Sequence, residues 1–124
     1  MTTDKRRILI VDDEVQSTHL LKRLLERKRP YDVRIENDSR NAVAVTEAFK
    51  PHLILLDVIM PYRDGGDVAI QIRHTPSVHD VPIVFISASA RPIEGYPFLS
   101  KPVPVEEMIA CIEGIFLSAD RDAL

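Results

Sequence analysis

Leu53-Ile54-Leu55-Leu56-Asp57-Val58-Ile59-Met60-Pro61 decides the fold. Four branched apolar residues are too few for a helix and rich enough for a strand buried on both faces. The run ends in a carboxylate, then in two more apolar residues, a methionine and a proline. A carboxylate where a buried strand meets a loop is seldom there for packing. An earlier run of the same kind, Ile8-Leu9-Ile10-Val11, ends in Asp12 and Asp13, and a shorter one, Phe98-Leu99, runs into Ser100-Lys101-Pro102. Continuous apolar strands of this type belong to parallel sheets covered on both sides.

Working outward, the periodicity predicts a helix from about Val15 to Lys28, with Leu20, Leu21, Leu24 and Leu25 at helical spacing and Pro30 ending it. Val33 and Ile35 alternate with Arg34 and Glu36, which predicts an edge strand with a wetter face. Asp38 or Ser39 can cap a second helix carrying Ala42, Val45, Ala48 and Phe49. A third helix is predicted over about Asp67 to His74, with Val68, Ile70 and Ile72 inward, and Pro82 to Ile86 reads as another buried strand ending in Ser87-Ala88. The last helix opens near Pro104 and buries Val105, Met108, Ile109, Ile112, Ile115 and Phe116. Strands and helices alternate, which implies an open parallel sheet with helices on both faces and right-handed crossovers. In such sheets sites form outside the carboxyl ends of the strands, where Asp12, Asp13, Asp57, Ser87 and Lys101 all stand.

The chain has 124 residues, enough for one ordinary domain with a core, and residues 1–124 are expected to form a single unit. With 45% hydrophobic and 28% charged residues it has a globular composition, and no apolar run reaches membrane-span length. The net charge of −3 speaks against a nucleic-acid surface. No signal peptide is visible, and the single cysteine, Cys111, fits a reducing cytoplasm, where it reads as a partly buried, inert thiol. His19, His52, His74 and His79 share no ligand spacing, and Gly65-Gly66 is not a nucleotide-binding fingerprint.

Three carboxylates brought to one point repel and would be costly to bury unpaired. A hard divalent cation resolves this, and oxygen ligands suit Mg²⁺, with Mn²⁺ as a substitute. The Ile59 backbone carbonyl can complete the shell, Lys101 can pair with Asp57 or a phosphoryl oxygen, and the Ser87 hydroxyl can do both donor and acceptor duty. An ionised aspartate, a divalent metal, a lysine and a hydroxyl are what phosphoryl transfer needs, with an acyl phosphate on Asp57 as the covalent product.

Val11-Asp12-Asp13-Glu14, Leu56 to Pro61 with Asp64-Gly65, Ser87-Ala88 and Lys101-Pro102 together resemble the receiver domain of two-component response regulators. The resemblance implies a flavodoxin-like, doubly wound, five-stranded parallel sheet of order 2-1-3-4-5. It implies Asp57 as phosphoacceptor, Asp12 and Asp13 as the pair that positions Mg²⁺, Ser87 and Phe98 as switch residues, Lys101 as the lysine that pairs with the phosphoryl group, and Ala88 as the small residue that leaves donors room. It also implies a donor, a phosphohistidine on a histidine kinase or histidine phosphotransfer protein, and a downstream protein partner, with no nucleic acid or membrane bound. The expected role is a phosphorelay or switch module of the chemotaxis-regulator kind, without an output domain, rather than a turnover enzyme. The rival is a Mg²⁺-dependent phosphohydrolase with an aspartyl nucleophile, which would want a second acid where Ile59 stands.

Only 14 positions separate Ser87 from Lys101 (101 − 87), and residues 88–96 contain Pro92 and Gly95, so the fourth helix of the family is expected to be short or absent. The segment is expected to be flexible and to order on phosphorylation. Amide hydrogen exchange across 88–96 should slow in the phosphorylated state; equally slow exchange in both states would contradict this.

Overall fold

The structure is a computed structural model that describes residues 5–89 and 91–122. Its elements are β1 (Arg6–Val11), α1 (Val15–Lys28), β2 (Tyr31–Glu36), a single 3₁₀ turn (Ser39–Asn41), α2 (Ala42–Phe49), β3 (Leu53–Asp57), α3 (Gly65–Arg73), β4 (Ile83–Ser87), β5 (Phe98–Ser100) and α4 (Val105–Asp122). All pairings are parallel and the order is β2-β1-β3-β4-β5, the arrangement the resemblance implied.

Side chains alternate across a strand, and here the alternation divides two cores. Ile8, Ile10, Leu53, Leu55, Val84 and Ile86 point to one face, where Leu25 of α1 and Met108, Ile109, Ile112 and Phe116 of α4 cover them. Leu9, Val11, Ile54, Leu56, Ile83 and Phe85 point to the other, under Ala42 of α2 and Val68, Ala69 and Ile72 of α3. Because β1, β3 and β4 are covered on both sides, alternate polar residues would have nowhere to go, which is why these runs are apolar throughout. Strand β2 lies at the edge, and its exposed Asp32 and Arg34 give it the wetter face expected.

The structure corrects several inward assignments. Leu20 is 53% exposed and Ile70 59% exposed. Ala48 also faces solvent. The places are taken by Thr18, Thr46 and Ala69, all buried. Thr46 Oγ1 donates to Ala42 O at 2.7 Å and Thr18 Oγ1 to Val15 O at 2.8 Å, so each hydroxyl is satisfied inside its own helix and leaves a methyl for the core. Helix α3 begins at Gly65, two residues before the predicted start, because Asp64 caps it by accepting from Asp67 N at 2.8 Å. Where a fourth helix would lie in the family, the described residues between β4 and β5 form no helix. Instead the Tyr96 ring stands edge-on to Phe85 at 5.0 Å, and Ile93, Tyr96 and Phe98 pack onto the second core.

Gly65 N donates to Val58 O at 2.7 Å, which draws α3 against the end of β3. A Cβ at Gly65 would collide with the Asp57 carbonyl oxygen and come within 2.9 Å of Val58 Cα, both rigid backbone. Gly65→Ala should therefore cost about 1–3 kcal/mol in urea unfolding, the usual penalty of overpacking. Unchanged stability would show that the two segments separate freely.

Candidate functional site

Strand register brings the strand-end groups together. Val11 pairs with Leu56, so Asp12 follows beside Asp57; Asp57 pairs with Ile86, one residue before Ser87; Ser87 pairs with Ser100, one before Lys101. One carboxylate oxygen from each of Asp12, Asp13 and Asp57 lies within 4.8 Å of the others, the only such acidic or metal-ligating cluster among the described residues. Asp12 and Asp57 are buried, each 7% exposed, while Asp13 faces solvent.

Lys101 Nζ donates to Asp12 Oδ2 at 2.8 Å and stands 3.9 Å from Asp57 Oδ2. The lysine thus serves both carboxylates, but its hydrogen bond goes to Asp12, where the sequence had suggested Asp57. Asp12 also accepts from Glu14 N at 3.0 Å through Oδ1, so it braces the turn that leads into α1 while facing the cluster. Lys101 N donates to Ser87 O at 2.9 Å, and the Lys101–Pro102 peptide is cis. Ser87 is buried, and its hydroxyl accepts from Ser89 N at 3.4 Å. The Ile59 side chain is 56% exposed, so any contribution to the site comes from its backbone. Phe98 is half-buried, opposite Phe85 in register and three residues before Lys101. Ala88 is exposed at the end of β4.

One supporting residue carried no motif. Asn37 Nδ2 donates to Asp12 O at 2.7 Å and to Thr18 Oγ1 at 3.1 Å, tying the end of β2 to the acidic turn and to α1. The one available signal was position, since Asn37 directly follows a strand whose Glu36 carbonyl accepts from Asp12 N. A cavity of about 150 Å³ opens beside the acids, walled by Asp12, Asp57, Lys101, Thr18, Leu21 and Met108.

The electrostatics follow from this crowding. Burial, and then the neighbouring Asp12 charge, push the Asp57 carboxyl up to about 6, against the opposing pull of Lys101. Burial acts to lower Lys101, but its hydrogen bond to Asp12 and the charges of Asp12 and Asp57 outweigh it and hold the ammonium above its ordinary range. One lysine is therefore charged throughout the physiological range beside three acids, leaving a net negative pocket with only oxygen donors. That donor set fits a hard divalent cation and does not suit a soft one.

The comparisons agree with this geometry. The family model described as the response regulator receiver domain matches residues 8–113. The "DNA-binding dual master transcriptional regulator RpaA" of Synechocystis sp. is 32% identical over 123 residues, covering 93% of this chain and 51% of that protein. The "transcriptional regulatory protein PdtaR" of Mycobacterium tuberculosis is 35% identical over 117 residues, covering 87% and 55%. The chain thus spans about half the length of these curated relatives. Among solved structures, the receiver domain from the hybrid histidine kinase CckA is 29% identical with a TM-score of 0.75, over 87% of this chain and 96% of that one. The chemotaxis protein CheY4 of Vibrio cholerae, at 21% identity and a TM-score of 0.81 over 89% and 98%, shares the fold. The chain belongs to the response regulator receiver domain family.

Proposed function

We propose that the chain accepts a phosphoryl group on Asp57 from a phosphohistidine of a partner kinase or phosphotransfer protein, in a Mg²⁺-dependent reaction, and serves as a switch or relay rather than a turnover enzyme. The observation that carries this reading is the placement of a buried Asp57 within reach of two further carboxylates and 3.9 Å from Lys101 Nζ. Asp12, Asp13 and Asp57, with the Ile59 carbonyl, would hold the Mg²⁺, whose charge when bound offsets the carboxylates and the phosphoryl oxygens.

The chain's own residues supply the rest. An Asp57 carboxylate oxygen attacks phosphorus as the bond from phosphorus to the donor's imidazole nitrogen breaks. The imidazole leaves with the electron pair and takes up a proton, and Asp57 becomes an acyl phosphate. Lys101 then lies close enough to exchange its Asp12 contact for a phosphoryl oxygen, and Ser87 has a hydroxyl on the adjacent strand end to offer another. Positioning and charge neutralisation carry such a transfer with little further chemistry. Against the phosphohydrolase alternative, no acid stands two residues after Asp57, where Ile59 turns its side chain to solvent. Among the described residues no helix is long and apolar enough to cross a membrane. A cytoplasmic setting, where histidine kinases present their phosphohistidine, suits the role.

Incubation with acetyl phosphate and Mg²⁺ should add a single phosphoryl group by intact mass, absent in Asp57→Asn and absent with chelator. Lys101→Met should slow labelling by about 100-fold, the usual loss on removing one charge-stabilising donor. Labelling that persists in Asp57→Asn, or steady turnover of phosphomonoesters, would overturn the reading.

The raised Asp57 carboxyl also has a thermodynamic signature in metal-free protein. Between the ordinary carboxylate value and about 6, the folded state binds the proton that the unfolded state has released, so stability falls as pH rises through that window. Asp57→Asn removes the penalty and should stabilise the chelated protein by on the order of 2 kcal/mol more at pH 7 than at pH 4, after allowance for solvent screening. A variant gain that does not change with pH would refute the buried-charge account.

A further inference from the structure

Five residues past Asp57, the chain makes a strained turn. Arg63 N donates to Pro61 O at 2.9 Å, closing a three-residue γ-turn around Tyr62, and Tyr62 sits at φ 71. Positive-φ γ-turns are the rare and strained kind, and a bulky side chain seldom occupies that backbone region. Glycine would make the same turn without strain. The tyrosine ring does not repay the strain by burial, since the residue is 73% exposed.

The surroundings nevertheless hold this turn from several sides. The buried Ser39 hydroxyl donates to Pro61 O at 2.7 Å and accepts from Arg63 N at 3.2 Å, bridging the residues on either side of Tyr62. The Arg40 guanidinium lies 3.7 Å from the Tyr62 ring centroid. Arg40 is itself fixed by Asp38, which accepts from its Nε at 3.1 Å and its Nη2 at 2.8 Å. Asp38, Ser39 and Arg40 thus form a clamp whose product is a rigid, outward-facing aromatic. Strain that is over-determined by its neighbours and not used for packing is characteristic of binding positions. A clamped ring also loses little freedom when a partner covers it.

The location names the partner. Of the six large hydrophobic side chains most exposed among the described residues, two (Ile59 and Tyr62) stand on the loop that follows Asp57, and a third, Val15, opens α1 just past the acidic turn. A protein that brings a phosphohistidine to Asp57 must pass over those residues. We propose that Tyr62 is a preorganised docking anchor for the protein phosphodonor, held by the Asp38–Ser39–Arg40 clamp and received by an apolar surface beside the donor's histidine. This inference rests on the reading of Asp57 as acceptor from a protein donor.

The test compares a small donor with a protein donor on the full chain. The protein probe is the phosphorylated core of whichever histidine kinase of the host cell transfers fastest to the wild-type chain. Tyr62→Gly should keep the wild-type rate of labelling by acetyl phosphate and melt at the same or a higher temperature, because glycine relieves the turn. It should raise KM for the phosphorylated kinase by about tenfold or more, the size of a hot-spot loss, with kcat little changed. Arg40→Met, which keeps the ring but loosens it, should show a smaller KM increase. An unchanged KM in Tyr62→Gly overturns the proposal. A lower melting temperature together with lost acetyl phosphate labelling overturns it in favour of a structural ring, and a change in sedimentation overturns it in favour of a second copy as occupant. If neither acetyl phosphate nor any kinase labels the wild-type chain, the acceptor reading itself fails and takes this inference with it.

Discussion

Three carboxylates at the end of one sheet repel one another, and Lys101, beside the two buried ones, offsets part of that repulsion. Its ammonium reaches Asp12 at 2.8 Å and Asp57 at 3.9 Å. One cation does not balance three anions, two of them buried, and burial together with that imbalance appears as the raised Asp57 carboxyl. That excess negative charge is of the kind a hard divalent cation offsets. The rest of the architecture supports that crowding: the register of β1 and β3 sets Asp12 beside Asp57, Asn37 ties the Asp12 carbonyl to α1, and Gly65 lets α3 close against the end of β3.

Much of this was legible in the residue order because buried parallel strands leave an unusual trace. Runs such as Ile8 to Val11 and Leu53 to Leu56 can be little else, and the polar residue that ends each run marks the site. The strand order and the lost helix followed from the family resemblance and from the short stretch between Ser87 and Lys101. Helix faces were harder. Periodicity assigned Leu20 and Ile70 inward, yet Thr18 and Ala69 took those positions, since a threonine whose hydroxyl bonds its own helix behaves as a small apolar residue. The start of α3 was missed because a Gly-Gly pair reads as loop, whereas here the Asp64 cap and the close approach to β3 require it in the first turn.

Within the site, identity was legible and pairing was not. The sequence pointed to Asp12, Asp13, Asp57, Ser87 and Lys101, but which carboxylate receives the lysine depends on a distance of about one ångström that no pattern encodes. Asn37 and the Ser39 hydroxyl were invisible for a related reason: each acts on backbone carbonyls far away in sequence, a role that demands a position rather than a motif. The segment between β4 and β5 adds a further point. Tyr96 against Phe85, with Ile93 and Phe98, covers the sheet face beside β4 with no helix among the described residues there, so the core stays closed.

The charge imbalance can be measured at its source by following the Asp57 carboxyl carbon through a pH titration by NMR, in chelated protein and again with Mg²⁺ present. A midpoint near 6 without metal, falling to the ordinary carboxylate range or below when Mg²⁺ is added, is the expected result. A midpoint near 4 that Mg²⁺ leaves unmoved would contradict the view that Asp57 is held in a crowded, metal-seeking cluster.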